Sequence, residues 1–241
     1  VTADDRFPKG KEFAADLARA VPEIASVVQS VNTSRGNRVL GQREKVLWGS
    51  PFIVDELDGL RFRISASSFY QVNPEQTVVL YREAVAAAGL RGSETVLDAY
   101  CGVGTLALFM ARAAREVYGI EVVDDAITDA RTNAELNAIT NAKFIAGRVE
   151  AVLPELVADG AAFDVAVLDP PRAGCEAAVL RALAESRVGR IVYVSCNPAT
   201  MARDAGILAG LGFRVERVQP VDMFPHTFHV ESVVLITRVK D

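Results

Sequence analysis

Two side chains stand out as able to make and break bonds. Cys196 follows an apolar, β-rich run in R-I-V-Y-V-S-C-N-P (190–198). A lone cysteine is most often a small buried apolar residue. This one sits where a strand gives way to a helix, and a helix start lowers a thiol's pKa, so Cys196 is a candidate nucleophile. Glu231 lies in F-P-H-T-F-H-V-E-S (224–232), just ahead of the last apolar run, and is a candidate general base. His226, His229 and Glu231 invite a metal reading. They offer no helical i, i+4 pair and no neighbouring cysteine pair, so no metal is expected. His226 reads as a loop residue, which leaves His229 open. Cys101 and Cys175 lack the context of Cys196 and are not read as nucleophiles.

A second group could hold a ligand. In T-V-L-D-A-Y-C-G-V-G-T (95–105) an apolar run ends in Asp98, a turn carries Gly102 and Gly104, and an Ala-rich segment follows. Strand, glycine turn and helix make a nucleotide pocket at the carboxyl end of a strand. Gly102 to Ala107 also fit the dinucleotide fingerprint, so these residues alone leave a dehydrogenase and a methyltransferase both open. Asp98 tips the balance, because an acid facing the ligand there opposes a pyrophosphate. Glu121 ends V-Y-G-I-E, 23 positions after Asp98, where a carboxylate can accept two hydrogen bonds from a ribose diol. Asp169-Pro170-Pro171-Arg172 ends another strand in a rigid turn. It is similar to the D-P-P loop of methyltransferases acting on planar nitrogens, with Arg172 in place of their aromatic.

The elements that must position these residues follow a clear rhythm. Strands are expected at 94–98, 116–120, 142–146, 163–168 and 188–195, and helices near 104–114, 124–138, 149–158, 176–186 and 198–210. Short Val/Ile runs between longer helical runs mean a parallel sheet covered on both faces. Segments 212–219 and 230–239 follow one another with no helix between, which predicts an antiparallel pair at one side. Asn73-Pro74 starts a helix that runs to about Ala88 and stops at Gly89. Ahead of it, residues 10–21 read as an amphipathic helix with Phe13, Leu17 and Val21 on one face. From 24 to 65, short β-rich runs (S-V-V-Q-S-V, R-V-L, K-V-L-W, F-I-V, R-F-R-I) alternate with turn signals. The expected division is a small α+β piece over 1–68, a candidate RNA-contacting part, and a larger α/β domain over 69–241.

Bulk properties narrow the classes. Of the 241 residues 50% are hydrophobic and 24% charged, as in ordinary core-forming proteins. No apolar run approaches the ~18 residues of a membrane span. The opening V-T-A-D-D-R-F-P-K-G is polar and unlike a secretory leader. Three scattered cysteines make no disulfide framework and suit a reducing cytoplasm. The net charge of −5 argues mildly against nucleic acid, although Arg35, Arg38, Arg43, Lys45, Arg61 and Arg63 gather in one stretch, among Glu44, Asp55, Glu56 and Asp58.

Six motifs coincide in order: F-Y-Q-V-N, D-x-Y-C-G-V-G, G-I-E, L-D-P-P-R, S-C-N-P and F-P-x-T-x-H-V-E-S. Together they resemble the S-adenosylmethionine-dependent RNA uracil-C5 methyltransferases over roughly 69–241. The resemblance implies a Rossmann-like class I methyltransferase fold and a monomer acting on RNA. It implies Cys196 as the nucleophile that adds to C6 of uracil and Glu231 as the base that removes the C5 proton. By the same resemblance Gln71, Tyr100, Thr105, Glu121 and Asp169 hold the cofactor, Arg172 holds the substrate, and Asp98 supports the loop. Many members carry Asn where Thr105 stands. F-P-x-T-x-H-V-E and L-D-P-P-R-x-G look closer to members that act on 23S ribosomal RNA than to those that act on transfer RNA. Full members usually begin with a small RNA-binding β-barrel, and many carry a four-cysteine iron–sulfur cluster. No cysteine precedes Cys101, so no cluster is expected in this chain, and a front end is expected to be missing. The rival readings are an amino-methyltransferase using D-P-P-R, a dinucleotide-dependent reductase and a catalytically silent RNA-binding module.

Overall fold

The computed structural model describes residues 1–33, 41, 43–66 and 68–239. In chain order the elements begin with α1 (Gly10–Ala20), β1 (Ser26–Val31), β2 (Arg43–Gly49), β3 (Phe52–Leu57), β4 (Leu60–Ser65) and α2 (Pro74–Ala88). Then come β5 (Thr95–Ala99), α3 (Thr105–Ala111), β6 (Glu116–Glu121), α4 (Asp124–Leu136), β7 (Ala142–Ala146) and α5 (Val149–Ala158). The chain ends with β8 (Val165–Leu168), α6 (Ala177–Glu185), β9 (Arg190–Ser195), α7 (Pro198–Gly210), β10 (Phe213–Val221) and β11 (Glu231–Arg238).

Seven strands form one sheet in the order β10-β11-β9-β8-β5-β6-β7. The five strands from β9 to β7 are parallel, whereas β11 runs antiparallel between β9 and β10. Every residue of β5 and β8 is buried, as expected of central strands covered on both faces. One core lies between the sheet and α2, α3 and α4, and the other beneath α5, α6 and α7. This is the Rossmann-like methyltransferase architecture, and the antiparallel closing pair falls where the alternation of strands and helices stops.

The leading segment makes two small sheets, β1–β2 and β3–β4. R-V-L, Arg35 and Arg38 lie outside the described residues. The β3–β4 hairpin turns at Asp58-Gly59, and Asp58 pairs with Arg82 of α2 and with Arg112 just after α3. Leu57, Leu60, Phe62 and Ile64 enter the same core as α2 and α3. The outer edge of β4 is closed by side chains of α4 in place of a strand. Arg61 N donates to Asn137 Oδ1 (2.8 Å), Arg63 N to Asn133 Oδ1 (2.6 Å) and Ser65 N to Asp129 Oδ2 (2.9 Å). Asn137 Nδ2 and Asn133 Nδ2 return bonds to the Arg61 and Arg63 carbonyls. The match is geometric: four helical residues rise about 6 Å, and two strand residues span about 6.8 Å. Arg63 also pairs with Asp129, and Arg43 with Asp5, so two of the four described cations of the basic stretch are engaged in ion pairs within the chain.

The expected apolar face of the first helix is not the buried one. Gly10 and Ala14 are buried in α1, whereas Phe13 is 51% exposed and Val21 41%. Small residues face β2 because the helix lies close to it, and the Phe13 ring rests instead against Phe7, 5.5 Å between centroids.

Candidate functional site

The glycine turn after β5 is built by a tight backbone path. Tyr100 adopts a left-handed conformation (φ 72°), and the amides of Tyr100 and Cys101 both donate to the Ile120 carbonyl (3.0 Å each). Neighbouring β6 tolerates this close approach because residue 119 is glycine: a Cβ there would stand 2.8 Å from Cys101 Sγ and 2.7 Å from the Phe144 ring. Glu121, at the end of β6, accepts from Gly102 N on Oε2 (3.2 Å) and from Val123 N on Oε1 (2.9 Å). With its carboxylate thus fixed, Glu121 lines a cavity of about 170 Å³ with Tyr100, Val122, Arg148, Val149, Glu150 and Pro171.

Behind the turn the carboxyl groups crowd. Asp98 is buried, and its Oδ2 has no hydrogen-bond partner. Burial, Asp169 and Glu121 hold its carboxyl well above the usual carboxylate range, against the pull of the Ala107 amide. Burial and the Glu231 carboxylate push Asp169 up to about 7. Such a group favours an incoming cation, which would relieve the mutual repulsion and restore ionisation. Thr105 opens α3, and its hydroxyl lies 3.1 Å from the Tyr81 hydroxyl. Gln71 is half-buried on the loop before α2, and Asn73 Nδ2 ties that loop to the Met223 carbonyl (3.2 Å). Gln71 and Thr105 line neither the cavity beside Glu121 nor the one beside Cys196.

That second cavity, about 320 Å³, is lined by Arg172, Cys196, Asn197, Pro198, Phe228, His229 and Val230. It lies across the D-P-P-R loop from the first, since the consecutive residues Pro171 and Arg172 line one each. Register brings Cys196 and Glu231 together. β9 and β11 pair as far as Ser195 opposite Ser232, and Cys196 and Glu231 lie just beyond that last pair, near enough for the Glu231 carboxylate to act on the thiol. Glu231 is buried, Cys196 is partly exposed, and each feels Arg172.

The helix start does not lower the thiol as the sequence suggests. Burial first, then Glu231, raise the Cys196 thiol above its ordinary value, with Asp169 adding to them and Arg172 opposing. Burial likewise raises Glu231, again opposed by Arg172. Cys101 and Cys175 are each only 5% exposed, and burial pushes both thiols up.

Sequence reading missed the residues that clamp the D-P-P-R loop onto α7. Asn197 Nδ2 (3.1 Å) and Thr200 Oγ1 (3.2 Å) both donate to the Arg172 carbonyl, while Asn197 Oδ1 caps α7 by accepting from Ala199 N. Arg203 donates to the Ala173 carbonyl (2.9 Å). The buried Asp204 accepts from Cys175 N and from the Tyr193 hydroxyl (2.7 Å each). Spacing along α7 was the available signal, since 197, 200 and 204 share one helical face. Among the described residues no group of three or more His, Cys, Asp or Glu could hold a metal ion, and no helix is long and apolar enough to cross a membrane.

Residues 11–239 match the model of the family described as tRNA (uracil-5-)-methyltransferase. The chain belongs to this family. A Bacillus cereus protein described as an RNA methyltransferase is 49% identical over 240 residues, covering 100% of this chain and 52% of its own length. A second relative so described, from Halalkalibacterium halodurans, is 49% identical over 236 residues, with 98% and 52% covered. The chain thus spans about half the length of these relatives. Among solved structures, the tRNA (uracil-54, C5)-methyltransferase of Pyrococcus abyssi, in complex with S-adenosyl-L-homocysteine, is 35% identical with a TM-score of 0.75, covering 91% of this chain and 53% of that one. The tRNA m1G37 methyltransferase of M. jannaschii shares the fold alone, at 14% identity and a TM-score of 0.63, covering 100% of this chain and 71% of that one.

Proposed function

We propose that this member of the family transfers a methyl group from S-adenosylmethionine to C5 of a uridine in RNA through a covalent bond from Cys196 to C6. The observation that carries the reading is the nearness of Cys196 and Glu231 just past the end of the β9–β11 ladder, with Arg172 acting on both. The residues present fit the cofactor. Glu121 suits its ribose, and the orphaned Asp98 oxygen and the strained Asp169 suit a cationic ligand. Tyr100 lines the same cavity as Glu121. Gln71 and Thr105 are proposed at the margin of that site.

A base inside a helix cannot reach Sγ, so the uridine enters unstacked. Arg172 favours the thiolate of Cys196, which adds to C6, breaks the C5–C6 π bond and places the electron pair on C5 and O4. S-adenosylmethionine, when bound, supplies an electrophilic methyl group that C5 receives. Glu231 then takes the C5 hydrogen as a proton, the C5–C6 double bond re-forms, and Cys196 leaves as thiolate. A carboxyl raised by burial is the better base for this step.

Motif detail favours 23S ribosomal RNA as substrate, whereas the Pyrococcus abyssi relative named for uracil-54 favours transfer RNA. Incubation with 5-fluorouridine-containing RNA and S-adenosylmethionine tests the reaction, because fluorine at C5 cannot leave as a proton. A denaturation-resistant protein–RNA adduct is expected, absent in Cys196→Ala, and mapping the trapped RNA names the target. Methylation by Cys196→Ala at the unmodified rate would overturn the mechanism and favour an amino-methyltransferase.

A further inference from the structure

Phe228 is 89% exposed, more than any other large apolar side chain among the described residues. Its ring serves no core, and apolar surface left in water gains nothing for the fold. It is nevertheless held in place. Thr227 Oγ1 donates to the Phe224 carbonyl (2.8 Å) and accepts from His229 N (3.1 Å), and His226 turns the chain in a left-handed conformation (φ 64°). The Phe228 ring lies 4.2 Å from the His229 ring at 38°, and His229 meets Phe224 edge-on at 6.1 Å. Phe228 and His229 of this short aromatic stack form one wall of the Cys196 cavity, to which Arg172 brings a cation.

We propose that Phe228 is a stacking platform for an unpaired RNA base flanking the uridine that enters the Cys196 cavity. The inference rests on the proposed reaction for the identity of the neighbouring base, and the stacking itself does not depend on the chemistry. Extruding a nucleotide costs its neighbours their stacking, and an exposed aromatic face replaces it without regard to base identity. Cation and aromatic together match a backbone phosphate beside a base.

The test is binding of a short fluorescein-labelled oligouridine by anisotropy at one fixed salt concentration, with calorimetric binding of S-adenosyl-L-homocysteine as a control for the fold. Phe228→Ala and Phe228→Leu should each weaken RNA binding by about tenfold, because both lose the π face. Phe228→Trp should keep the affinity, and its added fluorescence over the native Trp48 should be quenched by the RNA. Should Phe228→Ala also lose the control ligand, the quench in Phe228→Trp decides alone. Absence of binding by the unmodified chain, equal affinity in Phe228→Ala, full affinity in Phe228→Leu or an unquenched Phe228→Trp would each overturn the platform. Phe228-dependent binding without 5-methyluridine formation keeps the platform and overturns the proposed reaction. Formation of 5-methyluridine with Phe228-independent binding does the reverse.

Discussion

Replacing Asn133 with Ala should loosen the joint between the β3–β4 hairpin and the methyltransferase sheet. Asn133 is fully buried and makes three hydrogen bonds: it accepts from Arg63 N (2.6 Å) and donates to the carbonyls of Arg63 (3.1 Å) and Val103 (3.0 Å). Each ordinary bond contributes about 1 kcal/mol net, and stranding a buried acceptor costs about 1–3 kcal/mol. Val103 is buried inside the glycine turn, where water cannot replace the lost donor. The two bonds to Arg63 and the stranded Val103 carbonyl together come to about 3–5 kcal/mol, a large part of the ~5–15 kcal/mol that holds a domain folded. Asn137 makes a similar pair of bonds to Arg61 at an exposed position, so water compensates and Asn137→Ala should cost about 1 kcal/mol. Asn133→Asp keeps the acceptor, aims lone pairs at two carbonyls and sets a second acid one turn from Asp129. It should destabilise at least as much as Ala. Urea unfolding followed by far-UV circular dichroism measures all three, and constant m-values would license the comparison. Because Val103 belongs to the turn, Asn133→Ala should also weaken S-adenosyl-L-homocysteine binding. Equal costs for Asn133→Ala and Asn137→Ala, or a harmless Asn133→Asp, would refute the ladder as the joint.

Two further outcomes depend on the carboxyl and thiol groups. Iodoacetamide should label Cys196 alone in the folded chain, faster as pH rises through the alkaline range, because the thiol stands above its ordinary value while Cys101 and Cys175 are buried. Arg172→Ala removes the opposing cation, raises the thiol further and should slow labelling at neutral pH by up to about tenfold; peptide mass mapping checks both, and faster labelling would contradict the assignment. Asp169 titrates at about 7 when folded, above the ~3.9 of an unfolded aspartate. The folded state therefore binds more protons between those values, and stability should fall as pH rises through that window. Urea midpoints should decline from about pH 4 to about pH 7 and level off above it, and Asp169→Asn should flatten the slope; an unchanged slope in that variant would place the titration elsewhere.

The parallel sheet was legible because strands covered on both faces read as unbroken apolar runs, V-A-V-L and I-V-Y-V among them. Helix ends marked by Pro74, Gly89 and Pro198 were equally visible, since proline and glycine act through the backbone itself. The face of α1 was misread: periodicity finds a stripe of large apolar residues, but the packing distance to β2 selects Gly10 and Ala14. Asp129, Asn133 and Asn137 look like a solvated helix face, because nothing local says that a strand edge will arrive from more than sixty residues away. The Cys196 thiol was misjudged for a related reason. Its helix start is local, but the burial and the Glu231 charge that outweigh it come from the tertiary structure.

The antiparallel course of β11 separates two kinds of evolutionary freedom. Residues 222–230 leave β10 at one side and re-enter beside β9, so they form a rim whose ends are pinned by strands and whose start is anchored by the buried Met223. The side chain at 228, outside the motif positions of F-P-x-T-x-H-V-E-S, can change while the ladder keeps sulfur and carboxylate in step. Selection for a new target could therefore act on this rim without re-tuning the reacting pair.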